Sequence, residues 1–461
     1  MELNRLIVAF IALAVALTCC ARVQPARTKV EPGAAVPSQP IQTGERSVES
    51  PIQPQGPKGG TAVDRETALL RKLTVQSEAN ASAYVKLGNA LMQKSRESMD
   101  GRLYEEAESA YERALALNPN HEAAMVGLAW VHNSEHDFDT GRKWAEKALT
   151  VNPALPDAYA LLGDAAVELG AYDEAFEQYQ RAVDLRPDLS SYSRAAHLLW
   201  LTGNASKARW LMRKAVASGG PHAENTAWCR AELALMSFHT GALVPAEIQA
   251  KQALEEAPGN PHVLAVMGRI KMAKKEYAAA IDLYRRAINV APNHDALVAL
   301  GDLYALTGRR DEAEEQYKRV VELHASGGPH AHGGGTHLHP YSHGNAQLAR
   351  FYADHDRSLT EALEEAEAAY RTYKNVFTMD TLAWCYYKNG RYPDARKLID
   401  NVLKFKTPDA AILFHAGMIY DKIGDRPAAK KYLYQALSLN PNFHPIYATV
   451  AADLLKHLGA K

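Results

Sequence analysis

Apolar and polar residues follow three successive patterns along the chain. An unbroken apolar run, Leu6–Leu17, comes directly after Arg5. Residues 21–63 then show no apolar period and carry seven prolines among Gln, Ser and Gly. From residue 64 onward, short amphipathic helical patterns recur in pairs. The order predicts an apolar leader, a polar linker and a long helical array that extends over residues 64–461.

The first 20 residues are typical of an export signal. The apolar stretch is shorter than the ~20 residues that a membrane helix needs, so we expect cleavage, with a retained signal anchor as the alternative. Leu17-Thr18-Cys19-Cys20 resembles a bacterial lipobox, in which Cys20 is lipidated. Cys19 departs from the small residue usual at its place, so cleavage near Ala21 without lipidation stays open. Since no Asp follows Cys20, we expect a periplasmic, outer-membrane-anchored lipoprotein, or a secreted protein if Cys20 is not lipidated.

The Pro-rich stretch 21–63 predicts a disordered tether, because it lacks the apolar residues that would compensate for the entropy of ordering. About 42 flexible residues have a root-mean-square reach of roughly 35 Å. Such a tether suits a domain held away from a membrane surface.

The helical array repeats a unit of about 34 residues. One unit places Gly163, Ala175, Tyr179 and Pro187 at spacings that recur in two later units, as Gly268, Ala280, Tyr284 and Pro292, and as Gly417, Ala429, Leu433 and Pro441. The small residue lets two helices approach closely, the large residue fills the gap, and proline ends the second helix. This is the tetratricopeptide repeat (TPR) pattern. It predicts an all-α fold, a right-handed α-solenoid of about ten helix pairs.

The repeat spacing also predicts where each helix pair lies. We expect a lead-in helix at 64–77, a closing helix at 443–458 and a His/Gly-rich insert at 326–344. Extra residues around 95–100 are expected to lengthen the turn of the first pair. The pairs are placed at about 81–120, 122–155, 156–188, 189–222, 227–260, 261–293, 294–326, 343–375, 376–409 and 410–442.

Three stretches, 212–228, 380–395 and 413–445, make the chain resemble a broad family of exported bacterial TPR proteins. The resemblance extends over roughly 65–445 and implies an α-solenoid without a defined activity. The sequence holds no phosphate loop, nucleophile elbow or zincin motif, so we expect no enzyme and no cofactor. The 52 basic and 53 acidic side chains leave no basic excess for nucleic acid. We therefore expect a protein or peptide partner, with membrane contact through the lipid anchor only.

The insert is the one stretch that suggests metal chemistry. It carries five histidines, and neutral imidazole is a common ligand of Zn, Cu and Ni. The spacing matches no structural zinc site, and a glycine-rich loop loses much entropy when it closes around an ion. A soluble loop is therefore the alternative to a metal-binding or metal-delivery site. The candidate ligands are His330, His332, His337, His339 and His343.

Aromatic residues and methionine recur on the face that the first helix of each TPR pair turns inward. Such residues anchor partners in adaptable grooves, so we predict a partner-binding groove whose side chains touch solvent in the free protein. Core packing is the alternative. The candidates are Trp130, Trp200, Trp228, Phe238, Phe351, Trp384, Tyr387, Phe414 and Met418. Outside the signal, Cys229 and Cys385 lie four units apart, and we expect two buried unpaired thiols.

Overall fold

A computed structural model describes residues 60–325 and 344–459. The predictions for the export signal, for Cys20 and for nearly all of the tether lie outside the described residues. The same holds for the insert histidines His330, His332, His337, His339 and His343. All described residues belong to one unit, Gly56–Lys461.

Over the described ranges the chain forms 22 α-helices, and α2–α3 to α20–α21 make ten consecutive pairs, numbered here 1 to 10. The helices are α1 Ala62–Gln76, α2 Ala81–Ser98, α3 Arg102–Leu117, α4 Glu122–Ser134, α5 Phe138–Val151, α6 Pro156–Glu168, α7 Tyr172–Leu185, α8 Leu189–Leu201, α9 Ala205–Ser218, α10 Ala223–His239, α11 Leu243–Glu256, α12 Pro261–Ala273, α13 Tyr277–Val290, α14 His294–Leu306, α15 Arg310–Ala325, α16 Gly344–Asp354, α17 Leu359–Thr372, α18 Val376–Lys388, α19 Tyr392–Val402, α20 Ala410–Lys422, α21 Arg426–Leu439 and α22 Tyr447–His457.

The all-α solenoid is confirmed, and α1 and α22 lie within the predicted lead-in and closing helices apart from a few terminal residues. The prediction of a longer turn in pair 1 is wrong. Helix α2 continues to Ser98 and ends where Met99 takes a positive φ of 55°. No glycine or proline interrupts the extra residues, so they extend the helix.

In several pairs the two helices meet through the predicted contact of a small residue with a large one. A Cβ added at Gly163 would lie 2.3 Å from the ring of Tyr179, which is buried. In pair 10, a Cβ at Gly417 would lie 2.5 Å from Leu433. Any larger residue would therefore overpack the pair, at a cost of about 1–3 kcal/mol.

The array curves with its first helices on the inside. Contacts between first helices of neighbouring pairs recur, as between α6 and α8 or α18 and α20, and they are more extensive than contacts between neighbouring second helices. Because the elements on the inside of a curve lie closest together, α16, α18 and α20 form part of the concave face.

The curve brings pairs 3 to 5 against pairs 8 to 10, which follow more than 200 residues later in the chain. In pair 4, the carbonyl of Leu201 accepts a hydrogen bond from the Thr407 hydroxyl, 206 positions away. In pair 5, the carbonyl of Phe238 accepts one from the Asn440 amide at 2.8 Å, 202 positions away. The Leu201 carbonyl ends a first helix and has no partner within it, so the contact satisfies it. The Phe238 carbonyl also accepts from the backbone N–H of Gly241 at 2.9 Å, so Asn440 is its second donor.

Pair 3 makes the same kind of contact with the junction of pairs 8 and 9. The hydroxyl of Tyr172 accepts a hydrogen bond from the backbone N–H of Val376 at 2.9 Å. Gly170 has a φ of +79°, and a Cβ there would lie 2.4 Å from the carbonyl oxygen of Lys374. Glycine is needed here, since it permits both the left-handed backbone and the close approach of a second chain segment. Together these hydrogen bonds and close contacts join one superhelical turn to the next.

Candidate partner-binding face

The concave face of pairs 8 to 10 combines aromatic and charged side chains from three successive first helices. Asp354 ends α16, Trp384 lies in the third turn of α18, and Phe414 lies in the second turn of α20. Trp384 and Phe414 are each 1% exposed. Together with Arg350, Asp380 and His415, these residues form what is called here the inner site.

A buried charge network forms the floor of the inner site. Arg350 donates to Asp354 at 2.6 Å, to Asp380 at 3.0 Å and to Nε2 of His415 at 3.0 Å. Because a guanidinium can only donate, Nε2 of His415 accepts, and Nδ1 donates to Asp380 at 2.9 Å. His415 is therefore the neutral Nδ1–H tautomer. Burial lowers its pKa and the Arg350 charge acts the same way, against the opposing effect of Asp380.

Asp354 links the floor to the aromatic residues above it. Its carboxylate accepts from Arg350, from Nε1 of Trp384 at 2.8 Å and from the hydroxyl of Tyr447 at 3.1 Å. Burial is the largest single effect and opposes ionisation of Asp354, but the charge and hydrogen bond of Arg350, together with the nearby imidazoles of His415 and His444, lower the pKa of the carboxyl to about 2. The tyrosine belongs to residues 443–447, called here the closing segment, which lies between α21 and α22 and includes the first residue of α22.

The closing segment lies over the inner site. The rings of Tyr447 and Phe414 stack with centroids 4.8 Å apart and an interplanar angle of 17°. The ring of Phe443 lies 5.9 Å from that of Phe414. Nδ1 of His444 accepts from the backbone N–H groups of Ile446 and Tyr447, both at 3.2 Å, which fixes the turn of the segment. The chain thus covers part of its own concave face.

The expectation that the nine candidate groove residues touch solvent is wrong for six of them. Buried are Trp200, Trp228, Phe238, Phe351, Trp384 and Phe414, whereas Trp130, Tyr387 and Met418 are partly exposed. A solenoid with so tight a curve brings other residues against its inner face. Partner binding by the set stays a prediction.

The residues that cover Trp228 come from two other helices. The guanidinium of Arg96, on the extended helix α2, lies 5.9 Å from its ring centroid. The ring of His262, on α12, stacks on the Trp228 ring with the centroids 6.2 Å apart. Glu224 accepts from Arg96 at 3.4 Å and so ties α10 to α2 across the inner face.

The sequence analysis missed the charge network of the inner site. Asp380 and His415 are fully buried although they lie within apolar helices. A polar residue within each of two apolar patterns was the available signal, because a buried carboxylate and a buried imidazole need partners. That signal indicates that both side chains are hydrogen-bonded, but it does not say to which residue.

A second polar contact lies beside the insert in sequence. Nδ1 of His294 and Nε2 of His324 are 2.9 Å apart, and His294 is buried. His324 precedes the first insert residue by two positions. Among residues 60–325 and 344–459, no group of three or more His, Cys, Asp or Glu side chains is placed to hold a metal ion.

The two unpaired cysteines are buried, as expected. Burial raises the pKa of the Cys229 thiol to about 12. It also raises the pKa of the Cys385 thiol, so neither is a reactive thiolate near neutral pH. Within the described part of the chain, no helix has both the length and the apolar character needed to cross a membrane.

Helix pairs stacked into a curved array with a continuous concave face define an α-solenoid repeat protein. Tetratricopeptide-repeat family models match residues 93–156, 134–190, 262–326 and 410–443. The chain therefore carries tetratricopeptide repeats and folds as a TPR solenoid, an architecture that generally serves as a scaffold for binding other proteins.

Relatives and solved structures share this repeat over parts of their length. A TPR repeat-containing protein of Methanocaldococcus jannaschii is 23% identical over 73% of this chain and 61% of its own. The CTR9 homolog of Arabidopsis thaliana is 25% identical over 48% of this chain and 21% of its own. The chain thus spans less than two thirds of either relative. The solved structure of Pseudomonas aeruginosa PilF is 17% identical, covers 46% of this chain and 94% of its own, and has a TM-score of 0.38.

Proposed function

We propose that this TPR scaffold works in the bacterial cell envelope and binds a protein or peptide partner on its concave face. The observation that carries the proposal is the inner site, where an ordered charge network lies beneath aromatic rings. Buried aromatic residues beside fixed polar groups are what strong protein contacts use. Tyr387 and Met418 extend this face to solvent, and Trp130 does so in pair 2.

A photo-crosslinking residue in place of Met418 tests this binding face. In living cells it is expected to capture a partner, because the side chain lies beside the inner site and is partly exposed. The matched control replaces Tyr434, which is 66% exposed on the second helix of pair 10. Equal capture at both positions would exclude the concave face as the specific surface.

The envelope location rests on the apolar leader and on Cys20. Cys20→Ala is expected to release the protein from the membrane fraction and to abolish incorporation of labelled fatty acid. Membrane association that persists without any fatty-acid label would contradict the lipid anchor.

Metal binding is the second candidate function, and the His294–His324 contact favours it. Two nitrogens that each bind a metal at about 2.1 Å lie roughly 3.0–3.4 Å apart, close to the observed 2.9 Å between the two rings. The histidines of the insert are candidates for the further ligands. Calorimetric titration with Zn²⁺, Ni²⁺ and Cu²⁺ should show uptake that His294→Ala, His324→Ala and deletion of 327–343 each reduce. Equal uptake by all variants would exclude this site.

A further inference from the structure

We infer that the closing segment is a displaceable occupant of the inner site, and that the partner binds there through a segment of the same chemistry. That chemistry is an aromatic residue followed four positions later by an unphosphorylated tyrosine, as Phe443 precedes Tyr447. The inference rests on the proposed binding of a partner on the concave face. It adds which part of that face is used and what the partner presents.

The closing segment contacts the inner site as a peptide ligand would. Its two rings pack on one aromatic residue, Phe414, at 5.9 Å and 4.8 Å. Its tyrosine hydroxyl donates to the backbone carbonyl of Asp354 at 2.9 Å, with the carboxylate 3.1 Å away. Aromatic anchors and one specific polar contact are the usual means by which a groove recognises a peptide.

The inner site is formed without the closing segment. Arg350 holds Asp354, Asp380 and His415, and Trp384 donates to Asp354, all through residues of α16, α18 and α20. Departure of the closing segment would remove one hydroxyl donor, two rings and the electrostatic effect of His444 on Asp354. A site that keeps its shape when empty binds a ligand without an ordering cost.

The closing segment is less buried than the residues of α16, α18 and α20 that form the inner site. Phe443, His444 and Tyr447 are only partly buried, and Ile446 is 47% exposed. Helix α22, which follows, buries only Ala451 and Leu455. Elements with few buried apolar residues open at a smaller free energy than the core does.

The charge of the inner site selects among aromatic partners. The single guanidinium of Arg350 faces two carboxylates, Asp354 and Asp380, while His415 is neutral. A phosphate on the tyrosine would add a dianion beside Asp354, which repels it. The site therefore fits a tyrosine hydroxyl and rejects phosphotyrosine.

Hydrogen exchange of the wild-type protein gives the first test. Amides of residues 447–457 should exchange through a local opening, well before those of α20. Exchange of both helices only on global unfolding would overturn the inference, because the closing segment would then be an integral part of the core. This result would leave the crosslinking test at Met418 unaffected, so the two proposals fail separately.

Binding of a fluorescent peptide with the sequence of residues 440–459 gives the second test. The Phe443→Ala/Tyr447→Ala protein should bind it about tenfold or more tightly than the wild type, because the competing occupant is weakened. Thr449→Ala, exposed on the same helix, is the matched control and should bind like the wild type. Peptides with Phe or phosphotyrosine at the Tyr447 position should bind more weakly. Equal binding by all three proteins, or no preference among the peptides, would overturn the inference.

A thermal melt shows whether the double variant remains folded. Its main transition should stay near that of the wild type, since both side chains are partly exposed. If the whole array unfolds in this variant, the closing segment is a required cap, and the inference is overturned.

Discussion

Two aromatic groups on the concave face are buried for different reasons. In pairs 4 and 5, Trp228 is covered by Arg96 and His262, which belong to helices of the array itself. In pairs 9 and 10, Trp384 and Phe414 are covered in part by a segment that follows the last pair. The first cover cannot leave without opening the superhelix, whereas the second can. Burial alone does not tell a permanent core from an occupied binding site.

The largest expected loss of stability comes from truncating the buried tryptophans of the concave face. Trp200→Ala and Trp384→Ala should each lower the free energy of unfolding by about 3–5 kcal/mol, because both side chains are buried on rigid helices. Urea unfolding followed by circular dichroism measures this. Met418→Ala, at a partly exposed position one turn after Phe414 in α20, is the control and should cost much less. A loss below about 1 kcal/mol for Trp384→Ala would mean that its ring is not part of the core.

Removing a side chain that joins two superhelical turns by a hydrogen bond should cause the next largest loss of stability. Asn440→Ala removes two hydrogen bonds, one to the Phe238 carbonyl and one from the Asn442 N–H, and should cost about 1–3 kcal/mol of unfolding free energy. The Phe238 carbonyl keeps the Gly241 N–H as a donor. Asn442→Ala is the control, because only its backbone N–H is hydrogen-bonded to Asn440. Denaturant midpoints of the two variants should differ clearly. Indistinguishable midpoints would show that the contact between turns contributes nothing to stability.

Acid is expected to remove the stability that the ionised carboxylate of Asp354 contributes to the inner site. The folded pKa of Asp354 is lowered from 3.8 to about 2, so its contribution is present above pH 3.8 and is lost as pH falls toward 2. The shift corresponds to stability on the order of 2 kcal/mol. The difference in unfolding free energy between wild type and Asp354→Asn should therefore shrink between pH 5 and pH 2.5. A difference independent of pH would show that the carboxylate charge is not what stabilises the site.

The smallest expected loss of stability concerns the closing segment alone. Tyr447→Phe keeps the ring on Phe414 but removes the hydroxyl that donates to Asp354, a loss of about 0.5–1.5 kcal/mol. Hydrogen exchange in α22 should quicken by a corresponding factor while the global transition moves little. Tyr434→Phe, whose side chain is 66% exposed, is the control. Unchanged exchange in α22 would mean that the hydroxyl does not hold the closing segment.

The sequence was sufficient for the helix pairs and for their internal packing. Gly163 and Tyr179 meet because they lie in one unit, where helix geometry and a short turn fix which faces oppose each other. The same local argument placed the lead-in helix and the closing helix. The separation of Cys229 and Cys385 by four units was the basis for expecting two buried unpaired thiols, and both are buried and unpaired.

Only the tertiary structure decided what lies against the concave face. The contact of Asn440 with Phe238 depends on the rotation added by every intervening pair, and no short stretch of sequence encodes that sum. For the same reason the sequence placed Trp384 and Phe414 on the inner face but did not reveal that Tyr447 would cover them. Periodicity determines which side of a helix is apolar, because it is a local property; what covers that side depends on the curvature of the whole array.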